Sequence, residues 1–418
     1  MTAFRPDPRF RLVEGGATIP WGHLLALADR LTPELAHAGG RAAVAPGSVA
    51  TLIGALIAAE RCGIEVFPCR PDLEPSAQAV IHPDGAVEGR GTAPLPGFSL
   101  LLATSGTTGT PKLARHDLTR LTGRLRRTAP DARWLLTFDP AGFAGLQVIL
   151  TALLSGATLV ALPGADAATL AVGAGAHAVT HASGTPSFWR AFLMAAPAPP
   201  PPLASITLGG EAADQATLDR LAAAFPAAKI RHLYASTEAG AAFSVTDGRA
   251  GFPAAWLDSG VDGVSLRIRD GLLDIRSPRG MLDYVGGMSK PLAEDGWLAT
   301  GDRVTVEGDR VLFAGRADGV INVGGVKVAP EVVETALLAV PGVADALVRA
   351  SPSPVTGHIL TAEVALVPGT DEAAVRAALR AALGLLPPAF RPRRIDVVTG
   401  IDLSASGKKQ RGNAPCAT

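Results

Sequence analysis

Apolar positions in the first half of the chain follow two alternating rhythms. From Trp21 to His37 they return at helical spacing, and Arg41-Ala42-Ala43-Val44 then forms a short run. Val49 to Arg61 is helical again and is followed by Ile64-Glu65-Val66-Phe67. A period near 3.6 marks a helix, and a short apolar run bounded by turn residues marks a buried strand. Such pairs continue through a strand over Ser205 to Leu208 as far as Ile230-Arg231-His232-Leu233-Tyr234. Alternation of this kind predicts a mostly parallel sheet with helices on its faces and ligand crevices beyond the carboxyl ends of strands.

Beyond Gly260 the rhythm changes. Val264 to Arg269, Leu272 to Arg276 and Arg310 to Ala314 read as short antiparallel strands. The rest reads as a compact α+β unit. It has strands between Gly319 and Val328, helices over Glu331 to Ala339 and Glu372 to Leu383, and strands over Asp345 to Ala350 and Ile359 to Val367. The expected division is a large α/β domain, residues 1–315, with parallel sheets, flanking helices and a small β subdomain, and a smaller α+β domain, residues 316–418.

One stretch, Asp139 to Asp166, has no charge between its ends. Length alone suits a bilayer span. Leu146 to Leu154 reads instead as a helix stopped at Ser155-Gly156, and Ala157 to Leu162 as a strand closed by Pro163-Gly164. A core helix and strand are therefore expected, with no membrane span. The proline run Pro197 to Pro202 lies between a helix and a strand and is expected as a stiff surface loop.

Composition narrows the function classes. A hydrophobic share of 48% with 18% charged residues excludes a disordered chain. Lys plus Arg and Asp plus Glu both number 38, and this balance argues against a nucleic-acid partner. The three cysteines, Cys62, Cys69 and Cys416, exclude a disulfide framework. The first residues carry no apolar signal core, so a cytoplasmic location is expected.

The chemistry begins at Leu101-Leu102-Ala103-Thr104-Ser105-Gly106-Thr107-Thr108-Gly109-Thr110-Pro111-Lys112, an apolar strand entering a loop rich in Gly, Ser and Thr. Glycines let successive amides point inward, hydroxyls add donors, and the lysine supplies charge, which suits a polyphosphate. A P-loop requires glycine where Pro111 stands, so that motif fails.

The segment Ser105 to Lys112 resembles the phosphate loop of the adenylate-forming superfamily, which comprises acyl-CoA synthetases, peptide-synthetase adenylation domains and luciferases. Further motifs follow in the family's order. Tyr234-Ala235-Ser236-Thr237-Glu238 is similar to its Tyr-Gly-Ser-Thr-Glu, and Gly296-Trp297-Leu298-Ala299-Thr300-Gly301-Asp302 to its Gly-Trp-x-x-Thr-Gly-Asp. Gly315-Arg316-Ala317-Asp318 through Gly324-Gly325 to Glu331 resembles the hinge and glycine segment, and Ser406-Gly407-Lys408 the Ser-Gly-Lys of the mobile domain.

The resemblance implies roles residue by residue. Thr104, Ser105, Gly106, Thr107, Thr108, Gly109 and Lys112 hold the β- and γ-phosphates of ATP. Thr237 touches the α-phosphate, and Glu238, taken alone an ordinary loop acid, helps ligate Mg²⁺. Asp302 accepts from the ribose hydroxyls, Arg316 supports that end, and Gly209, Gly210, Glu211 and Tyr234 complete the nucleotide site. Lys408 is the catalytic lysine. A cation bridging carboxylate and α-phosphate lowers the barrier to joining two anions, by positioning and electrostatics. Lys409 stands at the family's usual isoleucine position and leaves the choice between the two lysines open; the family's spacing favours Lys408. Asp318 matches the hinge of a mobile C-terminal domain, and Gly324 and Gly325 the thiol tunnel.

The sequence also departs from the family. The phosphate loop begins early, so the first subdomain is expected to be shortened. Leu113 stands where the family has glycine, and Asp402 where it has proline. At the acyl pocket, bordered by Phe138, Asp139, Phe143 and Ala235, many acid–CoA ligases have Phe-His where this chain has Phe138-Asp139. Phe-Asp is the pattern of amino-acid-activating relatives, whose aspartate pairs with the substrate amine. Asp139 also precedes Pro140 and is placed to cap a turn. The expected activity is AMP-forming ligation of a small carboxylic acid to a thiol, either CoA or the phosphopantetheine of a separate carrier protein. Activation of an α- or β-amino acid for such a carrier is the alternative.

Overall fold

The computed structural model describes residues 5–38, 40–70, 73, 79–89, 97–104, 112–285, 295–404 and 406–411. Two sheets dominate the large domain. One has eight strands, with Arg133–Leu136, Thr158–Ala161, His181–Gly184, Ser205–Gly209 and Lys229–Ser236 running parallel near its middle. The other has seven and includes Arg41–Val44, Glu65–Pro68 and Ser99–Ala103, also parallel. Between the sheets lie the helices Val49–Cys62 and Phe143–Ser155, whose side chains join residues from both sheets in one core. A second core on the far face of the eight-stranded sheet takes in the helices Ala167–Ala176, Pro186–Ala195 and Gln215–Ala224.

Local sequence accounts for these helices. Val49–Cys62 starts where the Ser48 hydroxyl accepts from the Thr51 amide and stops at Gly63, whose φ of 65° suits a left-handed cap. Asp166, Thr185 and Asp214 cap the three outer helices in the same way. In Phe143–Ser155 glycine is required at position 145, since a Cβ there would come within 2.1 Å of the Asp139 carbonyl oxygen. The uncharged stretch folds as this helix followed by Thr158–Ala161, both in the core, as expected. Among the described residues no helix is long and apolar enough to cross a membrane.

The β subdomain is a five-stranded antiparallel sheet containing Ser265–Arg269, Leu272–Arg276, Leu298–Glu307 and Arg310–Arg316. A short 3-10 turn, Ala317–Gly319, leads into the hairpin Ile321–Val323 and Val326–Val328. Beyond it, the helices Pro330–Leu338 and Glu372–Gly384 and the sheet Val343–Ser353, Gly357–Leu366, Arg394–Val398 enclose their own core. Most element ends differ from the expected ones by a residue or two, as frayed ends do. Several elements were invisible in the pattern, Ala17–Pro20, Gly240–Val245 and Arg394–Val398 among them. Arg11–Glu14 pairs in parallel with Thr158–Ala161 and antiparallel with Ala17–Pro20, a long-range pairing that four-residue strands do not announce.

Candidate active site

The carboxyl ends of the central parallel strands converge with the β subdomain and the C-terminal segment. Lys229–Ser236 delivers Tyr234, whose ring is stacked between Phe243 and Phe313 at 5.2 and 5.4 Å, with planes 9° and 6° apart. Its hydroxyl donates to Asp302 Oδ2 at 2.5 Å. The Arg316 guanidinium approaches Asp302 Oδ1 at 3.3 Å and donates to the Thr300 carbonyl. Thr300 is held in turn, its hydroxyl donating to the Leu273 carbonyl at 2.6 Å and accepting from the Asp302 amide. Gly301, at φ 76°, permits this approach, since a Cβ there would sit 3.1 Å from Arg316 Nη2. Burial raises the Asp302 carboxyl above its ordinary range, against the Tyr234 hydrogen bond and the charges of Arg316 and Lys408. Burial, then the Asp302 charge, pushes the Tyr234 phenol up.

Lys408 reaches this corner from the C-terminal segment. Its Cε lies 3.5 Å from where a Gly210 side chain would begin, just past the end of strand Ser205–Gly209. The segment is set by a turn in which the Ser404 amide donates to the Lys408 carbonyl and the Gly407 amide to the Ser404 carbonyl, both at 2.8 Å. The Thr185 hydroxyl of the large domain donates to the Gly407 carbonyl. Lys409 points away, its ammonium buried against Glu334 and Asp345 of the small domain. Of the two lysines, only Lys408 faces the corner with Asp302, Arg316 and Tyr234.

Thr237 and Glu238 lie in the turn after Tyr234. His116 Nε2 donates to the Thr237 carbonyl at 2.7 Å, and Tyr284 donates to Glu238 Oε1 at 3.0 Å. Lys112 sits 5.5 Å above the Tyr284 ring. Burial brings the His116 imidazole down to about 4, and its Nδ1 has no partner among the described residues. Thr104 and Lys112 are joined by a 2.8 Å amide-to-carbonyl bond. The expected loop residues Ser105, Gly106, Thr107, Thr108 and Gly109 lie outside the described residues. Glu211 is engaged by the Ser187 amide at 3.1 Å and more loosely by that of Lys409.

Phe138 is buried in the core between the sheets, and Phe143 packs on that core with its ring centroid 5.8 Å from that of His116. Asp139 Oδ1 accepts from the Ala141 amide at 2.9 Å, and its carbonyl accepts from the Gly142 amide. The turn-capping arrangement is thus formed. Ala235 sits at a register shift between its strand and Gly240–Val245. Asp318 lies in the 3-10 turn and accepts from Arg316 Nε at 3.1 Å. Gly324 and Gly325, with φ of 58° and 90°, form an exposed hairpin tip whose first amide donates to the Thr356 carbonyl. Trp189 is fully buried, its indole donating to the Thr207 carbonyl.

Sequence reasoning missed His116, Tyr284 and Thr185. Thr185 carries a local signal, since Thr before Pro186 opens a helix. His116 and Tyr284 carry none, because their partners are distant in the chain.

Comparison with known proteins gives a consistent picture. Residues 98–271 match the family model of the AMP-binding enzymes, and residues 332–408 that of the AMP-binding enzyme C-terminal domain. A probable 2-succinylbenzoate–CoA ligase of Mycobacterium tuberculosis is 30% identical over 265 residues, 59% of this chain and 65% of that protein. The match therefore spans less than two thirds of that relative. A probable nonribosomal peptide synthetase of Salinispora arenicola, CymA, is 29% identical over 396 residues, 82% of this chain and 5% of that protein. In fold, the chain is similar to ATP-bound MatB from Rhodopseudomonas palustris, with a TM-score of 0.76 at 21% identity over 97% of this chain and 95% of that one.

Proposed function

Because the chain belongs to the adenylate-forming superfamily of AMP-binding enzymes, we propose that it is an AMP-forming ligase that joins a small carboxylic acid to a thiol. The observation that carries this reading is the placement of Lys408 beside Gly210 and within electrostatic reach of Asp302. In the first half-reaction a carboxylate oxygen attacks the α-phosphorus of ATP, the bond to the β-phosphate oxygen breaks, and pyrophosphate leaves. Lys408 lies between the incoming anion and the α-phosphate and stabilises the charge that accumulates there. Asp302, kept in place by Tyr234 and Arg316, accepts from the ribose hydroxyls. Thr237, held by His116, contacts the α-phosphate. Residues 104–112 and the Lys112 ammonium receive the β- and γ-phosphates.

Magnesium fits the donors present. Among the described residues no three His, Cys, Asp or Glu side chains form a metal cage. Mg²⁺ does not need one, being held commonly by one or two carboxylates, water and substrate phosphates. Glu238 would supply that carboxylate, oriented by Tyr284, and the ion would offset polyphosphate charge. In the second half-reaction a thiol attacks the acyl carbonyl, AMP leaves and the thiol proton passes to solvent. For this step we place the hinge at Asp318, with rotation of the small domain, residues 316–418, bringing Gly324 and Gly325 to the thiol.

The acceptor is CoA in the first reading, supported by the CoA-ligase relative. Amino-acid activation for a separate carrier protein is the second, supported by Asp139 and by the peptide-synthetase match. The hydrogen bond from Ala141 gives Asp139 a turn-capping role, which favours the first. Carboxylate-dependent ATP–pyrophosphate exchange, measured without thiol across fatty, aryl, α-amino and β-amino acids, tests the proposal. Exchange with fatty or aryl acids is expected. Exchange confined to amino acids transfers the protein to the second reading, and silence across the panel with ATP still bound overturns both.

A further inference from the structure

The two lysines of the C-terminal segment divide their work between the two domains. Lys409 forms an antiparallel bridge with Leu403, and the two adjacent lysines part, Lys408 toward Gly210 and Lys409 toward Glu334 and Asp345. Whatever fixes Lys409 therefore bears on the direction of Lys408. Lys409 is fixed thoroughly. Its ammonium donates to Glu334 Oε2 at 3.1 Å, lies 3.2 Å from Asp345 Oδ1 and donates to the Ala346 carbonyl.

Asp345 carries the contact across the domain boundary. The same Oδ1 accepts from Arg190 Nε at 2.7 Å, and Arg190 lies on the large-domain helix Pro186–Ala195. Arg190 is itself bound to Asp214, Thr217 and Ser187. Burial alone would raise the Asp345 carboxyl, but Arg190 and Lys409 bring it below its ordinary value. The side chains of Arg190, Asp345, Lys409 and Glu334 are each no more than 6% exposed. Arg411 closes the far side, with Nη1 2.5 Å from Glu334 Oε1 and Nη2 3.1 Å from Glu331 Oε1. The helix that carries Arg190 begins at Thr185, which holds the Gly407 carbonyl. One helix thus grips the segment immediately before Lys408 and, through Asp345, immediately after it.

We propose that Lys409, acting through Asp345 and Arg190, is a positioning residue that aims Lys408 at the nucleotide site during adenylation. The inference rests on the function proposed above. It goes beyond that reading by assigning work to a lysine that stands where the family resemblance places isoleucine. An apolar side chain packs in the same space but makes no ionic contact with a carboxylate shared by the other domain. Rotation of the small domain must part Arg190 from Asp345, so the network acts in one orientation and not in the other.

The test compares half-reactions in the full chain. Lys409→Met should lower kcat for ATP–pyrophosphate exchange by about 30-fold or more with KM for ATP within about threefold, since small misplacement of a catalytic group costs rate rather than binding. Thioester formation from preformed acyl-adenylate should stay within about twofold, because it takes place in the other orientation. Lys409→Arg should restore most of the exchange. The double variant Lys409→Met/Glu334→Gln, which leaves no uncompensated acid opposite the new side chain, provides a second folded background. Equal loss in both half-reactions, or exchange within about threefold of the parent in either background, overturns the inference while leaving the proposed function intact. Absence of exchange in the parent protein with every acid would instead overturn the proposed function.

Discussion

The two sides of the candidate site are held by different physics. At the nucleotide corner, Tyr234 is clamped between Phe243 and Phe313, and its hydroxyl fixes Asp302. All of these residues belong to the large domain. At the lysine side, the proposed aim of Lys408 rests on a buried set of charges, Arg190, Asp345, Lys409 and Glu334, that spans both domains and is flanked by the partly exposed Arg411. Aromatic stacking is a permanent packing contact within one body. A buried ion pair is stable only while both partners are in place, because separation leaves an uncompensated charge. The contrast suits a site in which one half stays assembled through the cycle and the other must form and part.

The largest expected effect breaks the lysine side outright. Lys408→Ala should reduce carboxylate-dependent pyrophosphate exchange by about 10³-fold, as loss of a preorganised transition-state contact does. Thioester formation from preformed acyl-adenylate should continue near the parent rate. Equal loss of both half-reactions would remove Lys408 from its assigned role.

The hinge proposed at Asp318 gives the next largest effect. Asp318→Pro fixes φ within the 3-10 turn and should hold the small domain in its present orientation. Adenylate should still accumulate, while transfer to the thiol falls by about 10²-fold, the scale on which a blocked conformational step limits turnover. Normal transfer by this variant, measured by rapid quench, would place the hinge elsewhere.

A smaller effect probes the buried imidazole of the large domain. His116 is buried neutral, brought down to about 4 from an ordinary value of 6.5. Between those two values the unfolded chain takes up a proton that the folded protein refuses, so stability falls as pH drops from 6.5 toward 4. The loss should reach about 3 kcal/mol, each unit of pKa difference being worth about 1.4 kcal/mol. His116→Gln, which keeps a neutral donor for the Thr237 carbonyl, should show a correspondingly flatter dependence in urea unfolding between pH 4 and pH 6.5. An unchanged slope would assign the acid sensitivity to other groups.

The smallest effect sharpens the corner itself. Tyr234→Phe keeps the stack and removes only the hydroxyl bonded to Asp302. One hydrogen bond to a charged group is worth about 1.5 kcal/mol or more, so KM for ATP should rise about tenfold with little change in kcat. A fall in kcat at constant KM would mean that the tyrosine acts on the transition state instead.

Much of this was legible in the sequence because it is local. The alternating helix and strand rhythm and the uncharged helix–strand pair after Asp139 each depend on a few neighbouring residues. The Tyr234-to-Glu238, Gly296-to-Asp302 and Ser406-to-Lys408 motifs could be read as strings. The spacing of the last motif also favoured Lys408 over Lys409, but what takes up Lys409 could not be read. The acids that hold its ammonium, Asp345 and Glu334, lie 64 to 75 positions upstream. His116 stayed silent for the same reason, its partner carbonyl lying 121 residues away.

The sequence by itself determined the class of the protein, most of its order of elements and the motifs from which the candidate site is assembled. Those properties reside in periodicity, caps and short motifs, which act over a turn of helix or a pair of strands. Tertiary structure alone decided which acids hold Lys409, which helix holds the Gly407 carbonyl, and that His116 meets the Thr237 carbonyl. Such outcomes depend on burial and on pairing between distant segments, and a charge acquires its meaning from the partner that shares its low-dielectric surroundings.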